Sequence, residues 1–312
     1  MASIQLDPAL LQHITSKTVV VTGAAGGIGL EISRLYESYG ANVVMADLER
    51  GRPTAEAWIA TLPDPSRVIF VPANTLAWSE MKNLFKTAIK TFSSVEVVIA
   101  NAGVMESHAV FDVETVDADG DLLEATEASK VIDINLKGTL STLRLGLHYM
   151  KDNKERFPDG SRGSIILVSS TSGYVGGTGV GAYVSSKHGI TGLLRASQLA
   201  AAKHNVRVNA VAPFITPTNI SGGFAAQWAA AGHPSNTTEQ VARVIATLSQ
   251  DPDKRGACYL TCGPIIREME STRSALLGQW LGDDVAQLMA NAGSFFASLG
   301  GYPLPKLEAL QS

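Results

Sequence analysis

Tyr183 and Lys187 stand four residues apart in the run Tyr183-Val-Ser-Ser-Lys187. On a helix that spacing puts the phenol and the ammonium on one face. A cation beside a phenol favours its phenolate, so the pair predicts a tyrosine whose pKa falls from about 10 towards working pH. Such a group can move a proton on or off a carbinol oxygen. Taken alone, the pair also fits an amphipathic helix with an exposed lysine. Ser170 adds a third group. It follows the apolar run Ser164-Ile-Ile-Leu-Val168, a predicted strand, and would emerge at the strand's carboxyl end, where its hydroxyl could hold a substrate oxygen beside the phenol. Ser169 is the competitor, and strand alternation points it the other way.

A second set of residues suits a dinucleotide. Thr22-Gly23-Ala-Ala-Gly26-Gly27-Ile28-Gly29 follows one apolar run and precedes an amphipathic one. Glycines there permit a tight turn and bring backbone N–H groups against a pyrophosphate at the positive end of a helix. Asp47 comes 18 residues after Gly29, close to the roughly 20 expected of an acid that accepts bonds from ribose hydroxyls. Its carboxylate would repel a 2′-phosphate, and Gly26 adds no positive charge inside the loop, so NAD is expected over NADP. Arg50 and Arg52 lie near enough to oppose that preference.

These groups must be carried by strands and helices in alternation. Thr18–Thr22, Asn42–Ala46, Arg67–Val71, Val95–Ala100, Ser164–Val168, Val206–Val211 and Ala257–Thr261 read as strands. Helices are expected over Gly29–Tyr39, Ser79–Thr91, Ala182–His204 and Thr238–Gln250. Continuous apolar strands separated by helices demand a parallel sheet covered on both faces. The expectation is an α/β fold: a single doubly wound parallel sheet, the Rossmann fold. No internal repeat or interior linker divides the chain, so 1–312 reads as one domain. Its core would span about 17–263, with 264–312 an extension packing on the core or at an oligomer interface. Residues 214–237, rich in Gly, Ala and Pro, read as a partly apolar flap.

Composition bounds the function. Of 312 residues 45% are hydrophobic and 17% charged, with net charge −4, which excludes disorder. The pI near 5.9 and mean hydropathy of +0.11, with no long basic run, make nucleic acid and anionic membrane poor partners. No stretch of about 18 apolar residues offers a membrane span. The N-terminus lacks the features of a signal peptide, and two cysteines, Cys258 and Cys262, fit a reducing compartment, so a cytoplasmic location is expected. Both cysteines read as core residues more readily than as a redox pair. Asp117-Ala-Asp119-Gly-Asp121 fails as a calcium loop at Leu122 and Ala128. The six histidines lack metal-ligand spacing, and no metal is expected.

Together, Thr22-Gly23…Gly27-Ile28-Gly29, Asn101-Ala102-Gly103, Asn135, Ser170 and Tyr183…Lys187 resemble the ordered signature of the short-chain dehydrogenase/reductase family. The likeness spans roughly residues 17 to 263. It is similar to the branch that includes 15-hydroxyprostaglandin dehydrogenases and fungal secondary-metabolism relatives. The resemblance implies Tyr183 as acid/base, Lys187 as its tuner and holder of the nicotinamide ribose, and Ser170 orienting the substrate oxygen. It implies a water-linked proton relay supported by Asn135, and an adenine side lined by Asn101, Ala102 and Gly103. Asn74 stands where the family usually has Asp; its carbonyl could still meet the adenine amino group. Phe214 follows Pro213 where the family has Gly, and would reshape the nicotinamide end. Thr216 and Thr218 are both candidates for the carboxamide contact, Thr218 by its distance from Pro213.

The expected activity is an NAD-dependent oxidoreductase acting on CH–OH, interconverting a secondary alcohol and a ketone. The flap suggests a medium-sized hydrophobic small molecule, with Phe214, Phe224 and Trp228 as contacts, though Phe224 and Trp228 suit a flap anchor equally well. The alternatives are an NADPH-dependent ketoreductase, or a family member with a non-redox or binding role. The resemblance further implies a homodimer or homotetramer.

Overall fold

A computed structural model of the protein describes residues 3–305. β-branched runs form eight strands: β1 Thr18–Thr22, β2 Asn42–Asp47, β3 Val68–Pro72, β4 Val97–Ala100, β5 Gly163–Val168, β6 Val206–Pro213, β7 Cys258–Cys262 and β8 Ile265–Glu268. They make one sheet in the order β3-β2-β1-β4-β5-β6-β7-β8. Every pairing from β3 through β7 is parallel, and β8 alone runs antiparallel, against β7. The doubly wound sheet is as expected. The added edge strand lies beyond the core boundary read from the sequence, where the hairpin turn at Gly263 gives β8 a short route back onto β7. Residues Ser3 and Ile4 in turn bond to Ile266, covering that edge.

β1, β4, β5 and β6 are buried along their whole length, which explains the continuous apolar runs of β1, β4 and β5; in β6 the buried Arg207 and Asn209 interrupt the run. The helices are α1 Gly27–Ser38, α2 Arg52–Ile59, α3 Trp78–Phe92, α4 Thr126–Ile132, α5 Gly138–Met150, α6 Gly181–Ala196, α7 Gln198–Lys203, α8 Phe224–Ala230 and α9 Thr238–Gln250. α1 and α9 pack together over one face, where Ile32, Tyr36, Val241, Ile245 and Leu248 meet Val19, Val21, Val43 and Met45 in one core. Burying each such Val, Ile or Leu contributes about 1.5–3 kcal/mol. α9 starts as expected because Thr237 and Gln240 form a reciprocal capping box. α3, α5 and α6 cover the other face. The single helix expected over Ala182–His204 is two, broken at Ser197, whose hydroxyl bonds back to the Leu194 carbonyl. The flap region contains α8.

Two features position chemistry. Strand order reverses beside β1, with β2 on one side and β4 on the other, which opens a crevice at their carboxyl ends. Between α4 and α5 the chain makes one π-turn, Asp133–Lys137, centred on Asn135. Residues 269–305 form a separate unit: α10 Met269–Ala275, α11 Leu277–Leu281 and α12 Asp283–Ser298. α11 and α12 pack on each other, and Trp280, Leu288, Met289 and Phe295 are exposed. The rest of the expected extension, 306–312, lies outside the described residues.

Candidate active site

A cavity of about 970 Å³ opens at the carboxyl ends of β1, β2, β4, β5 and β6. One end is built from the glycine loop. Gly23 and Gly27 adopt φ of +66° and +53°, conformations that favour glycine. A Cβ on Gly29 would lie 2.0 Å from the Gly23 carbonyl oxygen, so only glycine lets α1 start this close to β1. Gly26 is different: its φ is −167° and nothing lies within 4 Å of a Cβ placed there. As N-cap of α1 it offers no side-chain bond, and the first turn holds no acidic residue. Unfilled space in front of uncapped N–H groups fits a pyrophosphate.

Asp47 ends β2 at the same end of the cavity, one carboxylate oxygen accepting from Ala25 N at 2.9 Å and the other from Leu48 N at 2.7 Å. Both oxygens keep a lone pair for ribose hydroxyls. Arg50 lines the cavity, but Arg52 does not: it is held by Glu49 and Glu56 and lies over the Phe70 ring. Asn101 ties the loop to β4, its amide donating to the carbonyls of Thr22 and Gly23, while Thr22 Oγ1 accepts from Asn101 N and Ala102 N. Gly103 follows on the cavity wall. Asn74 also lines it, with its carbonyl already accepting from Leu76 N. The glycine loop, Asp47 and this wall fit a nicotinamide dinucleotide.

At the other end Ser170, Tyr183 and Lys187 face one another. Ser170 Oγ faces the Tyr183 phenol across the cavity and acts on it, accepts from Ser172 N, and lies 3.5 Å from the Pro213 carbonyl. Ser169 turns its hydroxyl onto α6, at the Lys187 carbonyl and Thr191 Oγ1. Strand alternation thus selects Ser170. Lys187 is 4% exposed, its Nζ donating to the Val168 carbonyl at 3.0 Å and lying 5.5 Å from the Tyr183 ring centre. Burial pulls the ammonium down to about 8.

The phenol departs from expectation. The Tyr183–Lys187 spacing predicts a phenol lowered towards working pH, but burial pushes the phenol up; the Ser170 hydroxyl opposes this and the Glu106 carboxylate adds to it. Desolvation wins because the ammonium lies over the ring, 5.5 Å from its centre, and donates to the Val168 carbonyl rather than lying against the hydroxyl. Asn135 is fully buried in the π-turn and clamps Val104 through both N–H and C=O, while its Nδ2 also reaches Ser186 Oγ. It sets the wall around Gly103, where a Cβ would lie 3.2 Å from Asn135 Oδ1 and 3.6 Å from Lys187 Nζ.

The segment after β6 brings Pro213, Phe214, Thr216 and Thr218 to the cavity. Thr216 Oγ1 is committed to the Phe214 carbonyl and Asn236. Thr218 packs its methyl against Gly27. Phe224 lines the mouth, but Trp228 is not among the lining residues. It stands behind Phe214 edge-to-face, with ring centres 5.6 Å apart, stacks on His233 and donates to the Pro234 carbonyl. Trp228 is therefore an anchor of the flap. Sequence reasoning missed the apolar walls Met105, Val175, Val180, Ile215 and Ile220, which carry no motif. It also missed Glu106, whose partners at Ala182 and Tyr183 are over 70 residues away. Among the described residues no group of three His, Cys, Asp or Glu could hold a metal ion, and no helix is long and apolar enough to cross a membrane.

The family model for short chain dehydrogenases matches residues 17–228. Similar proteins include the short-chain dehydrogenase/reductase ascJ of Acremonium egyptiacum, 33% identical with 87% of each chain covered. Another is prx4 of Penicillium rubens, 28% identical, covering 90% of this chain and 85% of prx4. A crystal structure of a short-chain type dehydrogenase/reductase from Mycobacterium marinum shares the fold with a TM-score of 0.69 at 20% identity, covering 81% of this chain and 96% of that one.

Proposed function

The chain belongs to the short-chain dehydrogenase family, oxidoreductases that bind a nicotinamide cofactor, and we propose that it interconverts a secondary alcohol and a ketone using NAD. The observation that carries this reading is the convergence of Ser170, Tyr183 and Lys187 on a cavity whose other end is the uncapped start of α1 with Asp47 beside it. When bound, the nicotinamide supplies the hydride donor or acceptor. Ser170 holds the substrate oxygen, and Tyr183 gives that oxygen a proton in reduction or takes it in oxidation. Lys187 keeps positive charge beneath the phenol ring. Asn135 fixes the wall between Gly103 and Lys187 from which a proton relay would run. Gly23, Gly26, Gly27, Ile28 and Gly29 hold the pyrophosphate, and Thr218, its neighbour Thr216 being committed, meets the carboxamide.

Asp47 repels a 2′-phosphate, and with Arg52 neutralised by Glu49 and Glu56 only Arg50 opposes it. The substrate end is lined by Met105, Val175, Val180, Phe214 and Phe224, which suits a medium-sized, uncharged, hydrophobic molecule. One observation supports a second reading, a ketoreductase working with NADPH: Arg50 lines the cavity near Asp47 and could pair with a 2′-phosphate. A non-redox role is the weakest reading, because the acid/base set is complete. The exposed apolar face of 269–305 suits the oligomer contact expected of the extension.

Tyr183→Phe tests the chemistry: turnover on a panel of carbinols and ketones should fall about 10²–10⁴-fold with dinucleotide binding retained. Unchanged turnover defeats the mechanism. Parallel titration with NADH and NADPH, read by nicotinamide fluorescence, should show NADH tighter by about tenfold, or about 1.4 kcal/mol. Tighter NADPH would select the ketoreductase.

A further inference from the structure

Glu106 belongs to the loop after β4 and carries no motif, yet it is 8% exposed. Its Oε1 accepts from Ala182 N at 2.9 Å and its Oε2 from Tyr183 N at 3.0 Å, with Oε1 also 3.3 Å from Tyr183 N. These are N–H groups in the first turn of α6, which its own N-cap, Val180, leaves without a side-chain bond. A long-range carboxylate thus does what a local Ser or Asp does at most helix starts. The backbone it grips is that of the tyrosine itself.

We infer that Glu106 is a positioning residue for Tyr183: it caps α6 from the β4 loop, fixes where the phenol stands, and by its negative charge keeps the proton on it. The inference rests on the reading of Tyr183 as acid/base. A buried carboxylate at a helix start is favourable to the helix and unfavourable to a phenolate in the same turn. The Glu106 charge acts on the phenol in that direction. Other groups around the phenol leave this role to Glu106. On α6, Lys187 bonds to the Val168 carbonyl, and the His188 ring faces the Val184 carbonyl at an exposed position. From β5 only the Ser170 hydroxyl reaches the phenol. From α4, which packs on Tyr183 through Ala128 and Val131, Glu127 is taken up by Ser107 and His108, and Lys130 is exposed.

The test reads the phenol directly. With ¹³C at the tyrosine Cζ, Tyr183→Phe assigns one resonance among the 7 tyrosines, and its titration midpoint is compared in wild type and Glu106→Gln. Gln keeps the length and one acceptor but not the charge, so the midpoint should fall by roughly one unit. The rising limb of the pH profile for alcohol oxidation, where the phenolate takes the proton, should move down with it. A folded Gln variant with an unmoved midpoint overturns the inference. Should Gln fail to fold, Glu106→Asp decides, since it keeps the charge with a shorter reach: the midpoint must stay high while kcat falls, and a lowered midpoint overturns the inference. Tyr183→Phe turnover separates the two readings. Wild-type turnover there sinks the acid/base assignment, whereas an inactive Tyr183→Phe with an unmoved Gln midpoint sinks only the role of Glu106.

Discussion

Arg207, near the amino end of β6, and Lys187, beside the carboxyl ends of β5 and β6, are buried cations of one domain with opposite surroundings. Arg207 donates to Ser161 Oγ and to the carbonyls of Ser249 and Asp251, lies 3.4 Å from the Asp159 carboxylate and stacks on Phe157. Asp159 is shared with Arg255, and nearby Glu96 binds Thr18 N and Arg156. Lys187 has one carbonyl and an aromatic ring, and among the described residues burial alone shifts it, with no carboxylate acting on it. At the amino edge, charge is matched by charge and the result is structure. Burial lowers the cations at both edges, Lys17 and Lys187 alike to about 8; what sets Lys187 apart is that it lines a cavity beside a phenol, the setting in which a buried group is useful for proton chemistry. The same sheet separates the two, with stability held at one end and function at the other.

Breaking the amino-edge cluster should have the largest effect on stability. Arg207→Met leaves Asp159 short of a partner and should cost about 3–5 kcal/mol in denaturant unfolding. The matching change at the other edge should do the reverse: Lys187→Met removes a cation that burial disfavours and should stabilise by about 1–3 kcal/mol, while turnover drops at least about 100-fold. Loss of stability in Lys187→Met would break the comparison. A second contrast lies within the glycine loop. Gly29→Ala drives a methyl into the Gly23 carbonyl and should abolish dinucleotide binding and lower the melting temperature. Gly26→Ala meets only open space and should spare the fold while weakening the dinucleotide, by isothermal calorimetry.

Smaller effects sharpen the picture. Lys187 sits near 8 when folded and near 10.5 when unfolded, so between those values the unfolded chain binds more protons and stability rises with pH. Lys17 is also lowered to about 8, chiefly by burial, and adds to the same slope. Urea midpoints should therefore climb between about pH 8 and pH 10, less steeply in Lys187→Met. Above about pH 10 the raised Tyr183 phenol turns the slope downward. Smallest is Asp47→Ser, which should narrow or erase an NADH preference of about 1.4 kcal/mol, read by parallel NADH and NADPH titration.

Much of this was legible in the chain. β1 falls at the residues its β-branched run predicts, and α9 at its capping box, because both signals are local. β8 escaped because a four-residue edge strand has no periodicity to read. α8 escaped because its Gly- and Ala-rich surroundings read as loop. Trp228 reads from its type as a substrate contact or a flap anchor alike, and its packing behind Phe214 favours the anchor.

By itself the sequence determined the parallel strands β1 to β7, the glycine loop, Asp47, and the order and spacing of Ser170, Tyr183 and Lys187, since each is carried by a local run or spacing. Only the tertiary structure decided the state of the phenol and the role of Glu106. Desolvation and charge depend on what folds against a group from far along the chain, and here burial outweighs the lysine four residues away.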